Sequence, residues 1–281
     1  MDDPSRQRQF HQDLASLAGA CPFQPSFGEV VLALSGAKPG SSGGTDHVVA
    51  EMLHALPWQA VTFLYGLFCA RLRLASHADC EEDDAWREYL ATWIRKDRES
   101  DLLSSFRPIV QSSVFTKWLE RICLGPRPER ALLPRFPLWG FRPGLAAAQL
   151  ALTVQFAIHA ALTFESRSAS SGGNPCASQG QGDDPPFVLF IDVEKAFDKM
   201  LLEHQRRSLL QADLAPARVA AYLSEQLHSK VWARLGDVQS GPLAHSRGKQ
   251  GGCGTPFSFN AMMTAALSKS FASWERRGFG I

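Results

Sequence analysis

Apolar and polar positions along the chain predict many helices and few strands. The clearest strand is the apolar run FVLFIDV at 187–193, which ends next to a single acid. Apolar residues at helical spacing predict further helices, at 58–75, 114–124, about 203–211 and 216–228. Shorter strands are expected at 90–95, 230–235 and 242–246, the last two forming a hairpin around Gly236-Asp237.

Residues 1–34 are predicted to be helical at first and then apolar, with breaks at Pro22 and Pro25. Asp46 is predicted to cap a helix from His47 to about Leu56, because an aspartate oxygen can accept a bond from a free amide in the first turn. Together with the later strands, this pattern predicts an α+β fold.

Two later segments predict an amphipathic helix that does not span a membrane and a surface insertion. Residues 145–164 carry a polar stripe at helical spacing, which predicts an amphipathic helix packed on a core rather than a membrane span. We therefore expect no membrane partner. Residues 166–186 are rich in Ser, Gly and Pro and are predicted to be a flexible surface insertion.

Charge is balanced overall and uneven locally. The 281 residues carry a net charge of +1, with 45% hydrophobic and 20% charged residues, which excludes a disordered or fibrous chain. Residues 94–135 and 199–281 have net charges of +4 and +6, and 136–198, between them, has −3. Two basic stretches separated by an acidic one are compatible with two walls of a polyanion cleft, although the charge count alone favours scatter of surface charge.

The six cysteines lack metal-binding spacing, and the chain begins MDDPSRQRQF without an apolar signal run. We therefore expect unpaired thiols in a reducing, intracellular compartment, the nucleus included.

Asp192 is the first candidate for chemistry. It ends the apolar run, and a carboxylate there needs a cation or a hydrogen-bond donor, for which Mg²⁺ is a suitable hard partner. The alternative is that Asp192 is a capping acid and Phe197, five residues on, a core aromatic.

Two further groups could bind a ligand. The turn Gln250-Gly251-Gly252-Cys253-Gly254 lets backbone approach a ligand closely, although it matches neither a P-loop nor a dinucleotide motif and suits a structural turn as well. Lys96 and Arg107 flank a predicted strand pair. They could grip a triphosphate or be solvated surface charges.

Taken in order, five blocks resemble a reverse transcriptase of the non-LTR retrotransposon type. They are SGAKPGSSGGTDHVVAEMLHALP, WIRKDRESDLLSSFRPIVQSSVFTKWLERI, GFRPG with the following helix, FVLFIDVEKAFDKM and GKQGGCGTPFSFNAMM. The last two look like polymerase motifs A and B. The resemblance covers roughly residues 30–281.

The resemblance implies a right-hand polymerase with fingers and a partial palm, the thumb being absent. Its implied divisions are a helical extension with a pre-fingers block at 1–90, fingers at 91–165, the insertion at 166–186, and a partial palm with motifs A and B at 187–281.

The resemblance also implies residue roles. Asp192 would be a catalytic, Mg²⁺-binding aspartate with the Val193 carbonyl beside it. Phe197 would exclude a ribose 2′-hydroxyl. In the same way Gln250 and Gly251 would line the nucleotide pocket, and Lys96 and Arg107 would hold the triphosphate. The partners implied are an RNA template, a DNA primer and a dNTP, joined by two-metal nucleotidyl transfer.

The chain ends before the Tyr-Ala-Asp-Asp block that such enzymes carry after motif B. We therefore expect this chain alone not to extend a primer. The alternatives are a non-catalytic nucleic-acid-binding remnant and an intron-encoded maturase. An RNA-dependent RNA polymerase is disfavoured, because such enzymes usually have a smaller polar residue where Phe197 stands.

Overall fold

A computed structural model of the protein describes ten stretches of the chain, at 4–19, 22–74, 85–96, 105–125, 148–156, 158–159, 193, 195–227, 229–245 and 247–277. The chain divides into two compact units. The first joins Met1–Phe136 to Lys195–Ile281, and the second is Pro137–Glu194.

The first unit is mostly helical. Its α-helices are α1 Pro4–Ala18, α2 Phe27–Ser35, α3 Ala50–His54, α4 Trp58–Leu74, α5 Val114–Leu124, α6 Leu202–Gln211, α7 Pro216–Leu227 and α8 Thr255–Arg276, and a 3₁₀ turn spans Ala85–Arg87. Local sequence explains several of these ends. Ser26 and Glu29 cap α2 reciprocally, and the Ser113 hydroxyl accepts from the Phe115 amide at the start of α5.

Four strands form one mixed sheet. They are β1 Glu88–Arg95, β2 Phe106–Ser112, β3 Ser229–Leu235 and β4 Val238–His245, in the spatial order β2-β1-β3-β4. β1 pairs antiparallel with β2 and parallel with β3, and β3 pairs antiparallel with β4. In the described residues the fold is therefore mixed, with helices and a sheet, which is compatible with the α+β prediction.

The main core lies among the helices. Trp118 on α5 is fully buried, meets the Phe68 ring edge-on at 4.9 Å and donates from Nε1 to the Val30 carbonyl at 2.9 Å. A smaller apolar cluster lies on one face of the sheet, formed by Tyr89, Ala91, Val110 and Val231.

The predicted helices at 114–124, 203–211 and 216–228 and the hairpin around Gly236-Asp237 are confirmed within one or two residues, although β4 begins earlier than expected, at Val238. Residues 148–156 are helical as predicted. Phe156 is 70% exposed and Leu152 is 53% exposed. The packing of this helix on a core stays a prediction.

The prediction for Asp46 is wrong. The helix begins at Ala50, its N-cap Val49 makes no side-chain cap, and His47 has a φ of 56°, which no helical residue adopts. The carboxylate of Asp46 instead accepts the Ser113 hydroxyl at 2.5 Å. A tertiary partner therefore takes one oxygen of Asp46, and the other accepts the Val48 backbone amide at 3.2 Å, before the helix begins. The predicted strand at 187–193 lies outside the described residues, apart from Val193.

Candidate functional site

The glycine-rich turn that precedes α8 is joined to the turn at 195–200. The Gly248 amide donates to the Met200 carbonyl at 2.9 Å. A Cβ at Gly248 would lie 2.5 Å from Met200 Cε and 2.8 Å from the Phe197 carbonyl oxygen. Only glycine therefore allows these two turns to approach so closely.

On its other side the same turn is hydrogen-bonded to strand β2, and we call the turn seated while this bond is present. The Val110 amide donates to the Gln250 carbonyl at 2.7 Å. Gly251 has a φ of 116°, and a Cβ there would lie 2.4 Å from the Val110 carbonyl oxygen. Both the backbone conformation and the space at this position require glycine.

We expect Gly251→Ala to unseat the turn from β2, because the new methyl group meets a backbone oxygen that cannot rotate away. Amide exchange at Val110 should then accelerate at least tenfold. Gly236→Ala is the matched control, since Gly236 also has a positive φ, of 61°, but open space around its Cβ position. Equal exchange at Val110 in both variants would contradict this prediction.

Lys96 and Arg107 come together on the β1–β2 hairpin. The Lys96 amide donates to the Ser105 carbonyl at 2.7 Å, and Ile94 is the register partner of Arg107. Because side chains alternate along a strand, Lys96 lies on the face of Ile94 and therefore diagonally across from Arg107. Both cations are exposed. Arg107 is three residues before Val110, the residue on which the glycine-rich turn is seated.

Phe197 is half-buried, and its ring lies 5.5 Å from the ring of Phe259, in the first turns of α8. It therefore packs at the junction of the 195–200 turn with α8. Because the ring is only partly buried, this position accommodates the core interpretation as well as the pocket one.

Asp192 and Val193 are the two residues predicted to bind a metal ion. Asp192 lies outside the described residues. Val193 is 40% exposed and belongs to the second unit. Across the described ranges no three His, Cys, Asp or Glu side chains lie close enough to hold a metal ion. The magnesium site at Asp192 and Val193 thus stays a prediction, and we derive no reaction step through it.

The sequence did not reveal a buried group of charged residues beside the glycine-rich turn. We call it the polar cluster; its members are Arg71, Arg87, Glu120, Glu225 and Lys249. Arg71 Nη2 lies 2.6 Å and Arg87 Nη2 lies 3.5 Å from the Glu225 carboxylate. Glu120 accepts the Gln226 amide at 2.8 Å and the Gly254 backbone amide at 3.0 Å. The cluster thus ties the turn to α5 and α7.

Lys249 is the unusual member, with only 1% of its surface exposed. Its Nζ lies 3.6 Å from the centre of the Tyr89 ring and has no hydrogen-bond partner. Burial lowers the pKa of the Lys249 amine to about 7, although Glu120 and Glu225 act in the opposite direction.

One signal for the cluster is visible in the sequence once its position is known. Glu225 lies near the end of α7, after the largely apolar run 219–223, and every residue from Val219 to Leu227 is buried. Glu120 stands one helical turn from Thr116, on the buried face of α5. Acids on buried helix faces need cations or hydrogen-bond donors beside them. Lys249, flanked by Gly248 and Gln250, carries no such signal.

No model of a known protein family matches the chain, and no curated protein is significantly similar to it. In the part of the chain that the structure describes, no helix is both long and apolar enough to cross a membrane.

Proposed function

We propose that this chain is a fingers and partial-palm region of an RNA-directed DNA polymerase of the non-LTR retrotransposon type. It binds an RNA template paired with a DNA primer, and its turns line the pocket for the incoming dNTP. Lys96 and Arg107 hold the triphosphate, Gln250 and Gly251 line the base-pair side of the pocket, and Phe197 selects the sugar.

One observation carries the proposal. Three segments far apart in sequence meet in space, namely the β1–β2 hairpin, the turn at 195–200 and the glycine-rich turn, which spans 247–254. Two hydrogen bonds link them, from Gly248 to Met200 and from Val110 to Gln250. The resemblance requires the same three segments to surround one nucleotide, so their contact supports the assignment.

Asp192 with the Val193 carbonyl is the metal-binding part of the proposal. When bound there, Mg²⁺ would supply charge stabilisation for phosphoryl transfer. The residues whose geometry is described would only bind and orient the nucleotide. A test of binding is therefore more informative here than a test of turnover.

The experiment measures binding of a fluorescent RNA template–DNA primer by anisotropy, with Mg²⁺ and with each dNTP in turn. We expect the dNTP complementary to the next template base to tighten binding several-fold and the other three to have no effect. The double variant Lys96→Glu/Arg107→Glu should abolish that gain, because it repels the triphosphate. Arg8→Glu, an exposed cation on α1, is the matched control and should retain it.

Two outcomes would count against the proposal. If all four dNTPs acted alike, no template-directed nucleotide pocket would exist. Salt-dependent binding without any nucleotide effect would then favour the non-catalytic remnant. In a chain that does respond, Phe197→Ala should let the matching rNTP act as the dNTP does. An unchanged sugar preference would remove Phe197 from its assigned role.

A further inference from the structure

The side chain of Lys249 enters the protein between the two anchors of the glycine-rich turn. Gly248, before it, donates to Met200, and the carbonyl of Gln250, after it, accepts from Val110. The lysine can reach its position over the Tyr89 ring only while the turn is seated. Seating of the turn and burial of the amine are therefore one event.

The charges around this amine balance without it. Arg71 on α4 and Arg87 on the 3₁₀ turn face Glu225 on α7, and Glu120 on α5 completes the set. Two carboxylates therefore offset two guanidiniums. A protonated Lys249 would add one unbalanced positive charge in a site closed to water. The other titratable groups that face the cluster are Tyr89, Tyr222, Cys123 and Cys253. Burial raises the pKa of each, so all four stay neutral.

We propose that Lys249 is a latch for the glycine-rich turn: the turn stays seated while the amine is neutral, and unseating the turn takes up one proton. The proton passes from solvent to Nζ as the side chain leaves the Tyr89 ring. This proposal rests on the geometry of this chain and does not depend on which ligand the turn binds.

Proton uptake fixes the sign of the pH dependence. Seated, the amine has a pKa of about 7, and in water the value is 10.5. Between those two pH values the unseated lysine carries a proton that the seated one lacks, so a rise in pH favours the seated turn by up to tenfold per pH unit. Below about pH 7 both states are protonated, and the dependence disappears.

Two backbone amides report the latch directly. The Val110 amide donates to Gln250 and the Gly254 amide donates to Glu120, so both become free to exchange when the turn leaves. We would measure their hydrogen exchange by NMR at pH 7, 8 and 9 and divide each rate by the intrinsic rate at that pH. Protection should rise by up to tenfold for each pH unit.

Lys249→Met should keep both amides protected at a level independent of pH, because methionine fills similar space and cannot take up a proton. Lys269→Met, at an exposed lysine on α8, removes the same charge and should keep the wild-type slope. A flat wild-type profile, or an unchanged slope in Lys249→Met, would overturn the latch.

Two further measurements keep the result unambiguous. The Ala212 amide, at the C-cap of α6, donates to the Ser208 carbonyl and reports opening away from the turn. An equal slope at Ala212 would assign the proton to global unfolding and overturn a local latch. Should Lys249→Met fail to fold, the ¹³Cε shift of Lys249 in the wild-type protein decides the question. A midpoint near pH 7 supports the latch, and one above pH 10 overturns it.

Discussion

Glu225→Leu should lower the free energy of unfolding by about 3–5 kcal/mol, because it leaves the buried guanidinium of Arg87 and the part-buried one of Arg71 without their carboxylate. Glu225 is 3% exposed, and its oxygens lie 2.6 Å from Arg71 and 3.5 Å from Arg87. The loss would appear in urea unfolding at pH 7 as a lower midpoint with an unchanged slope.

The matched control is Glu203→Leu. Glu203 also pairs with two arginines, Arg206 and Arg207, but on a surface where its side chain is 32% exposed. Its removal should cost under about 1 kcal/mol. Adding Arg71→Met to Glu225→Leu should restore part of the loss. Equal losses in the two single variants would show that the Glu225 ion pairs are as solvated as those of Glu203.

Trp118→Ala should cost roughly 3–5 kcal/mol, because it empties the centre of the helical core. Trp118 is fully buried, and its Nε1 satisfies the Val30 carbonyl. Trp118→Phe keeps most of the apolar contact with Phe68 and loses the hydrogen bond, so its cost should be smaller, about 1–3 kcal/mol. Thermal or urea unfolding measures both.

Trp58→Ala is the exposed counterpart. Trp58 is 62% exposed, although its ring lies 4.9 Å from that of Phe27. We expect its replacement to cost under about 1 kcal/mol. A loss at Trp58 as large as that at Trp118 would mean that the helical core is not centred on α5.

Local pattern predicted the elements well where neighbouring residues determine them. Helix α5 was expected at 114–124 and occupies Val114–Leu124, because Ser113 caps one end and Gly125, with a φ of 88°, ends the other. The β3–β4 hairpin was likewise expected, since Gly236-Asp237 is a strong turn signal.

Features that depend on distant partners were not predictable in this way. Asp46 has the residue type of a cap but bonds to Ser113, 67 residues away. The sequence of neither strand alone indicates that β1 pairs in parallel with β3. Lys249 lies among glycines, which usually signals an exposed loop, and only the fold brings Glu120 and Glu225 to it.

For the candidate site, the sequence supplied the residues and the structure supplied their proximity. Lys96 and Arg107 were expected as a pair and lie diagonally across one hairpin. Gln250 and Gly251 lie on the glycine-rich turn, which is hydrogen-bonded to β2 of that hairpin. The role of Asp192 stays a prediction, since it falls outside the described residues.

The parallel pairing of β1 with β3 also constrains how the protein is made. β1 ends at Arg95 and β3 begins at Ser229, so a nascent chain displays the inner edge of β1 for more than a hundred residues of synthesis. Exposed strand edges invite pairing with other chains, and long-range parallel contacts form slowly. Efficient production in a cell should accordingly depend on chaperones that shield this edge until the carboxy-terminal part of the chain leaves the ribosome.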